Sequence, residues 1–194
     1  MFKKTPPYQL IGWGGSLLLV ILVGYFYQFQ EGRVGGFWMG LMSAVSFAVL
    51  LMAVMEIWIL VTDYQKGHLF PMRNATFFLT GLTVIALPVL GIYATLTGQA
   101  LEPSTLLLLP VFLFMLVRNL FRVKIDGVSL EAKTGFRSPT YVPLFDVANV
   151  EETEGSITIR TTEGKEIRFL RAFFFPGIWK KMQERLKQVG SPSL

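Results

Sequence analysis

The hydrophobic positions of this chain follow two regimes. From residue 8 to 121 apolar residues form long, nearly unbroken runs, and beyond 121 they alternate with polar ones. A helix needs roughly 20 mostly apolar residues to cross about 30 Å of hydrocarbon. Three stretches meet that length, 8–27, 37–62 and 75–97, and a fourth, 105–121, stands near the short limit. The pattern predicts an all-α bundle of four transmembrane helices behind a short tail, 1–7. Trp13, Tyr25, Tyr27, Trp38, Trp58, Tyr64 and Tyr93 lie toward span ends, where amphipathic rings anchor at headgroup depth. The stretches 31–36, 65–71 and 98–103 carry Gly, Pro and polar residues and read as connections. Pro88 and Pro110 fall inside spans, where neighbouring helices can accommodate a kink.

Past residue 121 the period shortens to two. Residues 122–126 alternate, Gly127 turns the chain, 128–133 alternate again, and Thr134-Gly135 makes a second turn. The stretch 141–144 reads as a strand whose Pro143 places it at an edge or bulge. Residues 156–162 and 165–170 flank Glu163-Gly164, a hairpin signal. Phe175-Pro176 then opens a closing helix, Pro being suited to the first helical turn. Trp179, Met182, Leu186 and Val189 follow helical spacing along it, with Lys180, Lys181, Arg185 and Lys187 mostly elsewhere on the wheel. The expected second domain is β-rich, spans 122–189, and ends in a frayed tail, 190–194.

Charge follows the same division. Charged residues make up 16% of the chain, well below the roughly 25% of a soluble domain. Only ten of them lie in residues 1–121, against twenty-one in the remaining 73 residues. The net charge of +5 therefore reads as a topology signal and an attraction to anionic headgroups, not as a nucleic-acid surface. Lys3, Lys4, Lys66, Arg73, Arg118, Arg122 and Lys124 would collect on one side of the membrane and Arg33 on the other. By the positive-inside rule both termini are expected to be cytoplasmic. The first run passes the usual signal-peptide length and ends in bulky Tyr25-Phe26-Tyr27, so it is read as an uncleaved span. The absence of cysteine excludes disulfides, thiolate catalysis and Cys-ligated metals.

Three passages of the second domain carry a family likeness: VKIDGVSLEAKTGFRS, VPLFDVANVEE, and SITIRTTEGKEIRFL followed by the amphipathic helix. Residues 122–189 resemble the bacterial PH-like domains attached to transmembrane helices in many small membrane proteins. The resemblance implies a bacterial inner-membrane location, a split barrel plugged by its last helix, and a role in binding or scaffolding of membrane complexes without shared catalytic residues. Such a domain has seven strands, while five or six can be counted here. The barrel is then either truncated or completed by the membrane part.

Candidate chemistry is sparse. Glu56 stands inside the second run, where a charge costs roughly 2.5–3.5 kcal/mol on insertion scales and so pairs or lines a polar cavity. It reads either as a structural partner of Arg118, or snorkelling toward Lys66, or as a proton or cation site. With no second carboxylate at depth to form a relay, pairing is favoured. Gly36, Gly40, Ala44 and Ala48 form a small-xxx-small row that lets helix backbones approach closely, within the bundle or against a partner. Phe173, Phe174, Phe175 and Trp179, with Lys180, Lys181 and Arg185, suit an anionic membrane surface, or else an ordinary capping helix with its apolar side inward. His68 is the lone histidine, too few ligands for a metal site. No catalytic residue, metal site or cofactor is expected. The sequence points to a non-enzymatic accessory, scaffold or assembly protein. Its expected partners are membrane lipids and other membrane subunits or further copies of itself, and not nucleic acid. The alternative is a small oligomeric transporter or channel centred on Glu56.

Overall fold

The computed structural model describes residues 6–29, 34–97 and 103–190. Lys3, Lys4, Arg33, residues 31–33 and 98–102 of the two connections, and the tail 191–194 lie outside the described residues, as does the side chain of Val189. The chain divides into two compact units: Met1–Ile59 with Thr80–Arg118, and Leu60–Leu79 with Asn119–Leu194.

The first unit is helical. Helix α1 runs Pro7–Phe29, α2 Gly36–Gln65, α3 Ala75–Thr97 and α4 Pro103–Arg118. The first three are long and apolar enough to cross a membrane, which makes this a membrane protein. Helix α4 has 16 residues and ends at Arg118, short of the expected end at 121. At 1.5 Å per residue it covers about 24 Å, less than a full hydrocarbon crossing.

A seam of three- and four-residue spacings holds α1, α2 and α4 together. On α1 the buried positions are Gln9, Gly12, Ser16, Leu19, Val23 and Phe26. On α2 they are Met42, Ser46, Val49, Ala53, Glu56 and Leu60. This 3.5-residue repeat keeps one stripe facing neighbouring helices, as in coiled coils. Gly12 matters because it has no side chain: a Cβ there would stand 2.4 Å from Cζ of Phe114 on α4, a ring that is wholly buried. The Ser46 hydroxyl donates to the Leu107 carbonyl at 2.9 Å.

Among the described residues the second unit contains seven strands in two antiparallel sheets. One has the order β1-β2-β3-β4, from Leu69–Pro71, Arg122–Ile125, Ser129–Lys133 and Thr140–Pro143. The other has the order β5-β6-β7, from Val147–Glu152, Ser156–Thr161 and Glu166–Leu170. Helix α5, Pro176–Gly190, follows. The core gathers Phe70, Val123, Ile125, Leu130, Ile157 and Ile159 with Trp179, Met182 and Leu186 of α5.

Two strands escaped the sequence reading. Residues 69–71, expected within a connection, form β1 and pair with β2, Phe70 opposite Val123. The turn that permits this is legible in the structure. Gly67 has φ +70°, its N–H bonds the Tyr64 carbonyl, and the N–H of His68 bonds the Asp63 carbonyl, each at 3.0 Å. This is the Schellman arrangement, which ends a helix at a left-handed residue and redirects the chain. Strand β5 was hidden because its register shifts between Val147 and Asn149, which breaks the alternation on which strand recognition rests.

Candidate functional site: a carboxylate held by three helices

Glu56 lies on the buried stripe of α2 and is 3% exposed. The α1 helix brings two polar side chains to it from its first turn. The Tyr8 hydroxyl donates to Oε2 of Glu56 at 2.8 Å, and Nε2 of Gln9 donates to the same oxygen at 3.1 Å. Gln9 Nε2 also reaches the Tyr8 hydroxyl oxygen at 3.1 Å. From the last turn of α4, Nη1 of Arg118 stands 3.9 Å from Oε1. One carboxylate is thus engaged by side chains from both neighbouring helices of its seam.

Charge-assisted hydrogen bonds are stronger than neutral ones, and a buried carboxylate needs them to offset its lost hydration. Two polar atoms of the cluster are less well served. Oε1 of Gln9 and Nε of Arg118 are buried and have no hydrogen-bond partner among the described residues. Of the cluster, Glu56 and Arg118 were legible as an out-of-place acid and a base 62 positions away in another run. Tyr8 and Gln9 were not, because a tyrosine at the start of a span reads as a headgroup anchor. The signal that could have found Gln9 is the 3.5-residue stripe itself, of which it is the first member.

The small-residue row lies off that stripe. Gly36, Gly40 and Ala44 are exposed and Ala48 is half-buried. No atom lies within 4 Å of where a Cβ on Gly36 or Gly40 would stand. The physical reason is the four-residue step, which drifts around the helix away from the 3.5-residue seam used by Met42, Ser46, Val49 and Ala53. Within the described residues this row is therefore not an internal packing face.

Compared with known protein families, curated proteins and solved structures, the chain finds no match. Its chemistry has to be read from its own geometry.

The aromatic group before α5 does not form one surface. Phe174 and Trp179, expected among the membrane-surface residues, are 3% and 4% exposed and pack on each other with ring centroids 5.6 Å apart. The correction follows from helical spacing: Trp179 shares its face with Met182 and Leu186, which plug the core. Phe175 is half-buried against Phe77, centroids 5.5 Å apart, with the Arg73 guanidinium 5.9 Å from its ring centre. Phe173 remains half exposed, and Lys180 and Lys181 are exposed. Arg185 is half-buried and bonds Oε1 of Gln188 at 3.2 Å.

Proposed function

We propose that this chain is a non-enzymatic membrane accessory or scaffold protein, docking laterally through its helices and binding through a PH-like domain on the cytoplasmic side. The observation that carries this reading is the engagement of Glu56. Its carboxylate is tied to α1 and α4, so the polar centre of the helical unit serves to clamp three helices together. A fixed clamp is what a stable platform needs, and a poor basis for moving an ion. Two further observations support the reading. The sheets of four and three strands with a plugging helix agree with a complete PH-like barrel, β1 being the strand missing from the count over 122–189. The exposed small residues on α2 offer a close-approach face for another helix. Helix α4, extended by the non-helical 119–121, is read as a short fourth span, which keeps both termini on the cytoplasmic side in line with Lys66, Arg73, Arg122 and Lys124.

A second reading has one observation in its favour. The under-served Oε1 of Gln9 lies on the residue that already bonds Glu56 and could accept a proton's hydrogen bond from it, as a proton-binding site in a small oligomeric transporter would require. Two measurements separate the readings. The mass and composition of the protein extracted gently from its native membrane test the scaffold. Proton or cation flux through the purified protein in liposomes, lost in Glu56→Gln, would carry the transporter.

A further inference from the structure

A cleft of about 360 Å³ opens where α5 passes the turn from α2 into β1, within the range of small-ligand sites. Lys66 and His68 line it from the turn, and Lys181 and Arg185 line it from α5. Glu184 is its single carboxylate, so three permanent cations face one anion. Two other lysines of this unit are neutralised: Lys187 sits 3.2 Å from Glu152, and Lys124 sits 2.5 Å from Asp63. Lys66 and Lys181 form no ion pair among the described residues. Nε of Arg185 is buried with no hydrogen-bond partner there, which leaves a donor of its planar fork to spare.

The end of α2 would ordinarily repel an anion, because helix C-termini carry partial negative charge from unbonded carbonyls. Here the carbonyls of Thr62, Asp63 and Tyr64 accept the N–H groups of Lys66, His68 and Gly67, each at 3.0 Å. That obstacle is reduced at the place where the cations gather. The cleft also begins close to hydrocarbon. Tyr64, on its wall, follows the apolar run ending at Val61 by three residues, about 5 Å of helix rise. A ligand held there can keep acyl chains in the bilayer.

We propose that this cleft binds the phosphodiester headgroup of an anionic phospholipid, with Lys66 and Lys181 on the phosphate oxygens and Arg185 supplying directed donors. This goes beyond the scaffold reading and stands whether or not a protein partner docks. The test titrates purified full-length protein in neutral detergent with phosphatidylglycerol and, separately, phosphatidylcholine, counting bound lipids by native mass spectrometry. Phosphatidylglycerol should be retained and phosphatidylcholine should not. Lys66→Gln with Lys181→Gln should weaken retention about thirtyfold, from roughly 1 kcal/mol per lysine near an anionic headgroup. Lys180→Gln, next in sequence but lining a different groove with Glu152 and Gln183, should leave retention unchanged. Should the double variant fold poorly by its melting curve, Arg185→Gln replaces it, with an expected weakening of about fivefold. Equal binding of both lipids, an equal loss in Lys180→Gln, or full retention in the cleft variants would overturn the proposal. Displacement by inorganic phosphate as effective as by the lipid would overturn it too, in favour of a soluble phosphate ligand.

Discussion

Removing the Glu56 carboxylate takes from Tyr8 and Gln9 their shared acceptor and leaves the Arg118 cation without its counter-charge. Breaking a buried pair from one side costs about 3 kcal/mol, so Glu56→Ala should lower the melting temperature in detergent strongly. Tyr8→Phe, losing one hydrogen bond to a charged group, should cost about 1.5 kcal/mol. The two should be coupled by about 1 kcal/mol in a double-mutant cycle; strict additivity would mean that the hydroxyl does not serve the carboxylate. A second acid works in the turn between β2 and β3. Burial alone would raise the Asp126 carboxyl, but the N–H groups of Val128 and Ser129, the Ser129 hydroxyl and the Lys124 charge together hold it below the usual carboxylate value. A lowered folded value stabilises fully above the unfolded one, about 3.9, and is lost as pH falls through the folded value. Asp126→Asn should therefore destabilise the β-unit by roughly 1 kcal/mol at neutral pH, and denaturant curves of variant and wild type should converge toward pH 3. A gap that persists in acid would contradict this account. Residues that break a local pattern, such as Glu56 in its apolar run, could be read from sequence. The partners that satisfy them could not, since Tyr8 and Gln9 are 48 and 47 positions away.

At the level of elements, the long helices were legible because their apolar runs match the thickness of hydrocarbon. Strands β2, β3, β6 and β7 were legible because alternation and turn residues coincide. Strand β1 was not: three residues are too few to show a period, and its Pro71 argues locally against a strand. What makes it one is the backbone of β2, which it meets at 69–71, a long-range partner that no local window contains. Its contribution is large, since Leu69, Phe70 and Met72 are all buried. Losing a buried Phe alone costs roughly 3–5 kcal/mol, a considerable part of a small domain's stability. A fragment of residues 119–190, lacking β1, should therefore show no cooperative unfolding by circular dichroism. Cooperative melting of that fragment would show that the β-unit folds without the segment between α2 and α3.

For the whole molecule, the second unit is assembled from two separate parts of the chain, 60–79 and 119–194, so the end of α2 and the start of α3 are built into it. Helix α3 buries only 6% of its apolar window, against 28% for α1 and α2, and the small residues of α2 also face outward. Lipid or another helix must cover these faces. On the scaffold reading, a helix of a larger complex covers them. The most direct test is gentle extraction from the native membrane followed by native mass determination and identification of what co-migrates. The account predicts a defined complex, larger than this chain, with other membrane subunits in fixed stoichiometry, and weakened when Gly40 is replaced by Ile. A lone monomer, unchanged by Gly40→Ile, would contradict it.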